Sequence, residues 1–199
     1  DEALRLGDRL EQVCGDREGA EYYRALIQLN RGAWEEAVKA ARYVRNLWPE
    51  ASFVAAMGSF EMGRMEESVA DFLHAACNHP GAAPLIAGRR AKAPRNNVEA
   101  RDWRAGDIIL RNLKGYLGRN GLRTRRFFGP LTANPNYVAL MEEIEEVRQR
   151  RNEERGTNVR AAWKYLERVK SPKFATERAA EICRSLRPGK AAEPKARMR

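Results

Sequence analysis

Few side chains in this 199-residue sequence are of the types that do chemistry at close spacing. The two histidines, His74 and His79, stand on either side of Cys77, an order that suggests metal ligands. On a helix, however, residues two apart do not share a face, and no second cysteine or histidine cluster completes a set of four. Cys183 sits in Glu-Ile-Cys-Arg, where a neighbouring arginine favours thiolate, but no histidine is local to it. We read it as a thiol on the buried face of a helix. The sequence holds no glycine-rich phosphate loop, no nucleophile elbow and no paired CxxC. No catalytic residue, metal or cofactor is assigned, and the expectation is a protein that is not an enzyme.

The stronger chemical signal is charge. Residues 1–80 carry 9 basic and 14 acidic side chains, net −5, whereas residues 81–199 carry 28 and 13, net +15. Within residues 88–126 there are 12 basic residues against Glu99, Asp102 and Asp107. Arg89, Arg90, Lys92, Arg95, Arg104, Arg123, Arg125 and Arg126 are the candidate seat for a polyanion or an acidic partner. Trp103, Tyr116, Phe127 and Phe128 are interleaved with them. Arginine outnumbers lysine there, and its planar fork matches phosphate and carboxylate alike. Such a window suits a nucleic-acid surface, an acidic protein, or a solvated face. It contains no zinc-finger spacing, RNP sequence or persuasive helix-turn-helix.

Composition bounds the rest. Hydrophobic residues make up 43% of the chain, enough for a real core. No run approaches the roughly 20 apolar residues needed to span a bilayer, so no membrane role is expected. Cys14, Cys77 and Cys183 are odd in number and far apart, which argues against a disulfide framework. We expect a reducing, cytoplasmic setting. The start at Asp1-Glu2-Ala3-Leu4 lacks a methionine and an apolar leader, which we read as a trimmed or processed chain.

The elements that position these residues begin with a repeat. Gly32-Ala33-Trp34-Glu35-Glu36-Ala37-Val38 matches Gly63-Arg64-Met65-Glu66-Glu67-Ser68-Val69 at a distance of 31 residues. Each copy is followed, 17 residues after its glycine, by Pro49 or Pro80. A glycine in the left-handed conformation stops one helix, the glutamate pair complements the dipole of the next, and the proline ends it. This resembles the second half of a tetratricopeptide repeat, although the family's period is 34 residues. The resemblance spans about residues 19–80. It places the small position of the first helix at Ala25 and Ala56, the aromatic position of the second at Ala41 and Phe72, and a later small position at Val44 and Ala75.

The resemblance implies an all-α, tetratricopeptide-like superhelix whose first helices line a concave face. Carried over, that face comprises Tyr22, Leu26 and Leu29 from one pair and Phe53, Met57 and Phe60 from the next. An apolar groove of this kind suits an amphipathic helix. The alternative is that these six are core, covered by the chain's own helices, such as the one starting at Asn134. The lysine and asparagine of carboxylate-clamping members are not found here.

Periodicity predicts about nine helices. An amphipathic helix over 3–14 (Leu4, Leu6, Leu10, Val13) precedes the repeats, and a loop over 81–96 holds a short helix near Ala83–Ala87. Asn96 or Asn97 opens a helix that Gly118 and Gly121 end, followed by a shorter one over about 122–131. Asn134-Pro135 begins a long helix with Val138, Met141, Ile144 and Val147 in one stripe. Val159, Ala162, Trp163, Leu166 and Val169 form the next stripe, and Ser171-Pro172 opens the last helix to about Leu186. Residues 187–199 read as a disordered basic tail. Together these point to an adaptor or scaffold that binds a protein partner in the groove, with oligomeric state open. RNA or DNA binding through 88–126 is the second reading, and an enzyme subunit with its catalytic part elsewhere the third.

Overall fold

A computed structural model describes residues 15–88, 97–153 and 157–186. The expected helix over 3–14, Arg89, Arg90, Lys92, Arg95 and the tail over 187–199 lie outside the described residues. Among the described residues the chain is all-α, with ten helices and no strand. They are α1 (Arg17–Arg31), α2 (Trp34–Val44), α3 (Ala51–Glu61), α4 (Met65–Asn78) and α5 (Ala82–Ile86). After these come α6 (Asn97–Asn112), α7 (Lys114–Ala133), α8 (Pro135–Glu153), α9 (Thr157–Val169) and α10 (Pro172–Leu186). No helix among the described residues is long and apolar enough to cross a membrane.

The 31-residue spacing has a backbone counterpart. Gly32 and Gly63 take φ of 83° and 74°, and the residues after them, Ala33 and Arg64, both take φ −82° and ψ 72°. In each copy the next amide closes the helix by donating five residues back, Ala33 to Gln28 O (3.1 Å) and Arg64 to Ser59 O (2.9 Å). This is the six-to-one bond of a Schellman turn, for which a left-handed glycine is favoured. A Cβ at Gly63 would meet nothing within 4 Å, so its conformation alone is at stake. Gly63→Ala is expected to lower the unfolding free energy by roughly 1–2 kcal/mol, read as a shifted urea midpoint. An unshifted midpoint would contradict the left-handed turn.

α1 to α4 pack each on the next. α3 is buried from Ala51 to Ser59 because its side chains are small or apolar all round. At Gly58 a Cβ would come within 2.7 Å of Val38 Cγ2 and 3.1 Å of Trp34 O, so α2 and α3 touch almost backbone to backbone. Ser68 Oγ donates to Ala56 O at 2.8 Å, tying α4 to α3 where the repeat needs a small residue. The last helix, α10, returns to pack along α4, while α8 and α9 pair with each other.

The second half departs from the sequence expectation at α6 and α7. The break falls at Leu113, and α7 runs on through Gly118, Gly121 and Pro130 to Ala133. The expected stop at the glycines and the separate helix over 122–131 are therefore not found. Glycine costs a helix about 1 kcal/mol against alanine. Burial of Tyr116, Phe128 and Leu131 on the inner side of α7 outweighs that cost. Leu113 closes one ladder and opens the next, its N donating to Ile109 O (3.1 Å) and its O accepting from Leu117 N (2.9 Å). α6 and α7 thus follow end to end as a rod kinked at Leu113, where the helical ladder is interrupted. Gly81 and Gly106 let the backbones of α5 and α6 cross, since a Cβ on Gly81 would sit 2.6 Å from Asp102 O.

The start of the last helix follows its sequence signal. Phe174 N donates to Ser171 Oγ at 3.3 Å, the N-cap bond that Ser171-Pro172 predicts. In α9, Leu166 and Val169 are buried but Trp163 is exposed, which removes it from the expected stripe.

Candidate interaction surface

The face expected to be a groove is filled by the chain itself. Tyr22, Leu26, Leu29, Phe53 and Met57 are buried, and Phe60 is partly buried. The helix chiefly responsible for covering their end of the fold is α7, rather than the one starting at Asn134. Phe127 stacks on Phe60 with centroids 4.7 Å apart, and Phe128 stacks on Phe72 at 4.4 Å. Phe72 in turn meets Phe53 edge-on at 5.4 Å. Tyr22 stacks on Trp48 at 5.6 Å and accepts a hydrogen bond from Asn112 Nδ2 at 3.2 Å. Burial pushes its phenol up to about 12, against the lowering effect of that bond. Five of the six are core and Phe60 is partly buried, covered by Phe127 and Phe128 of the second half.

Polar bonds fasten the same contact. Tyr116 donates to Glu61 Oε1 at 2.8 Å, and Arg123 pairs with Glu61 Oε2 at 3.0 Å while lying over the Phe60 ring. Arg119 donates to the Asn30 carbonyl and to Asn30 Oδ1. Two arginines of the basic window thus serve, at least in part, to dock α7 on the ends of α1 and α3.

Among the described residues, the other cations of the window are exposed. Arg104 is exposed on α6, and its Nε donates to Ala100 O of its own helix at 3.4 Å. Arg125 lays its stem over Gly88, where a Cβ would come within 2.5 Å of Cδ. Lys114, Arg125 and Arg126 are exposed and have no ion-pair partner among the described residues. α7 carries five basic residues and no acidic one, so its outer side is uniformly positive. α6 balances three basic residues with Glu99, Asp102 and Asp107. Trp103, Ile108 and Leu122 project from this rod at 42%, 58% and 67% exposure. Ile108 and Leu122 carried no sequence signal beyond helical spacing, since an apolar stripe does not announce which of its members face water.

A second exposed apolar group, Tyr23, Tyr43 and Leu47, lies on α1 and around the end of α2. The cleft beside Tyr43 is lined by Arg17, Arg24 and Lys39 together with Glu21 and Glu36. Charges of both signs give it no preference for a partner.

The histidine–cysteine cluster is taken apart by the fold. His74 is buried, with Nδ1 2.7 Å from Ser52 Oγ, whereas His79 Nε2 lies 3.3 Å from Glu50 Oε2. Cys77 is buried, and burial pushes its thiol up to about 12, which leaves it protonated and inert at neutral pH. Among the described residues no three His, Cys, Asp or Glu side chains gather as a metal site would require. Two buried charges are structural. Asp71 is held by Arg42 (2.7 Å) and Arg45 (3.2 Å), with burial pushing its carboxyl above the usual range against their pull. Arg148 on α8 pairs with Asp102 at 2.9 Å and donates to the carbonyls of Cys77 and Asn78, joining α8, α6 and the end of α4.

No protein-family model, curated protein or solved structure matches this chain.

Proposed function

We propose that this chain is a non-enzymatic scaffold of tetratricopeptide-like helix pairs that binds a protein partner on the outer side of α6 and α7. The observation that carries this reading is the company of Trp103, Ile108 and Leu122, all exposed on one rod, with cations that have no partner among the described residues. Exposed apolar side chains bordered by unpaired cations suit a protein interface with a charged rim. The face of α1 and α3 is taken by α7 and is not the binding site in this account.

The test is capture from source-cell extract on the immobilised full chain, before and after treatment with RNase and DNase. A stoichiometric protein retained after nuclease supports the reading. Retention that vanishes with nuclease contradicts it.

Nucleic-acid binding is the second reading, favoured by the five cations and absent acids of α7, four of them arginine. It predicts micromolar or tighter binding of a random RNA or DNA pool that falls by orders of magnitude between about 50 and 200 mM salt. Binding that is weak at low salt, or insensitive to salt, removes it.

A further inference from the structure

We propose that the outer strip of α6 and α7 is the seat of an acidic amphipathic helix of the partner protein. This rests on the scaffold reading above and names the occupant of its site.

The rod supplies the length. Residues 97–133 form one kinked helical stretch, roughly 55 Å at the rise of an α-helix. Along its outer side Ile108, Gly115 and Leu122 recur every seven residues, with Arg111, Gly118 and Arg125 offset by three. Within α7, positions alternating by three and four keep to one side of the helix, a seam of the kind on which a second helix lies, and Ile108 and Arg111 stand just before the kink. All six of these positions are exposed. Ile108 and Leu122 stand as two apolar knobs with glycines between them, and at Gly118 a Cβ would meet nothing within 4 Å. A partner helix can approach the backbone at Gly118 while its own apolar residues pack against Ile108 and Leu122; at Gly115 the Asn30 side chain takes that space, where a Cβ would come within 2.5 Å of Oδ1.

Charge selects the occupant. Arg125 in the seam and Lys114 and Arg126 beside it have no ion-pair partner among the described residues, and α7 has no acidic residue at all. A helix with glutamates beside its apolar stripe complements this border, whereas a basic or neutral helix leaves it unpaired. A single-stranded nucleic acid would instead ask for aromatic rings on which to stack. Phe127 and Phe128 point into the core, and the two knobs are aliphatic. That leaves Trp103 as a single exposed ring on the described part of the rod, too few for a run of stacked bases. The geometry therefore favours a helix over a nucleic acid.

The experiment uses the full chain and three probes. One is a synthetic helical peptide of about 20 residues with leucine at the three–four spacing and flanking glutamates. The second is the same peptide with glutamine for every glutamate, and the third is a fluorescent oligouridine of similar length. The glutamate peptide should bind saturably and at least tenfold more tightly than the glutamine peptide. Arg125→Glu with Arg126→Glu, and separately Ile108→Ser with Leu122→Ser, should each weaken it at least tenfold. These side chains are exposed, so unchanged thermal melts accompany the loss. The same variants should lose the nuclease-resistant protein captured from extract. Equal binding of both peptides, or variants that bind like the parent, overturns the proposal. Oligouridine binding more tightly than the glutamate peptide also overturns it, assigning the strip to nucleic acid. A captured protein indifferent to all four substitutions sinks this seat but leaves the scaffold reading standing. Strip-dependent peptide binding with no captured protein upholds the seat and sinks the scaffold reading.

Discussion

Phe128→Ala is expected to lower the unfolding free energy by about 3–5 kcal/mol, the largest single effect predicted for this chain. Phe128 is buried from solvent, stacks on Phe72 at 4.4 Å, and meets Phe127 edge-on at 4.9 Å and Phe60 at 6.0 Å. Its loss removes the ring that connects α7 to α4 and opens a cavity among side chains that belong to three different helices. Neighbours so constrained relax little, and the cost of truncation grows with the cavity that remains. Leu122→Ala, six residues away on the exposed side, should change stability by less than about 0.5 kcal/mol. Equilibrium urea unfolding of both variants checks the pair. Similar small effects at both positions would mean that α7 does not fill the face of α1 and α3.

The second large effect is a dependence of stability on pH through His74. Burial, aided by the nearby Arg45 charge, lowers its pKa from 6.5 to about 4. Below pH 6.5 the unfolded chain takes up a proton that the folded chain refuses until about pH 4. Stability from this group is therefore complete above pH 6.5, falls as the pH drops toward 4, and changes no further below that. The full loss is about 3 kcal/mol, because each pKa unit is about 1.4 kcal/mol. His74, on α4, is almost wholly buried facing Ser52 of α3, so solvent screening reduces this little. Carboxylates also titrate in this range, so the informative quantity is the difference between wild type and His74→Gln. The wild-type curve should fall more steeply from pH 6.5 to 4. Parallel curves would show that His74 takes up its proton in the folded state.

How much of this was legible in the sequence differs between the two halves for a physical reason. The turns at Gly32 and Gly63 are local devices, written within six residues each, and so are the caps at Ser171 and Asn134. Asn134 Oδ1 accepts from Asn136 N at 2.9 Å just where the Asn-Pro signal predicts a helix start. The course of α7 is not local. Four glycines and a proline lie in that stretch, Gly118 and Gly121 read as punctuation, and only the distant partners Phe60, Phe72 and Trp34 make it a helix. For the same reason the apolar stripe of Tyr22, Phe53 and Met57 could be assigned to a face but not to its cover. Phe127 and Phe128 stood in the sequence as aromatics among arginines, a pattern that suits a stacking platform. The fold turns both rings inward and leaves Ile108 and Leu122 outside. Arg148 was hidden within a charged helix, and only the carbonyls at the end of α4 explain its burial.

The division between an inner side of α7 that closes the fold and an outer side that binds is tested most directly by site-specific photocrosslinking. A photoreactive benzoylphenylalanine replaces Leu122 in one protein and Leu47, exposed just beyond α2, in another. Each is irradiated with the captured partner. Crosslinking from position 122 and none from position 47 is the predicted result. Crosslinking from 47 alone would place the partner on the first helix pair and contradict the account.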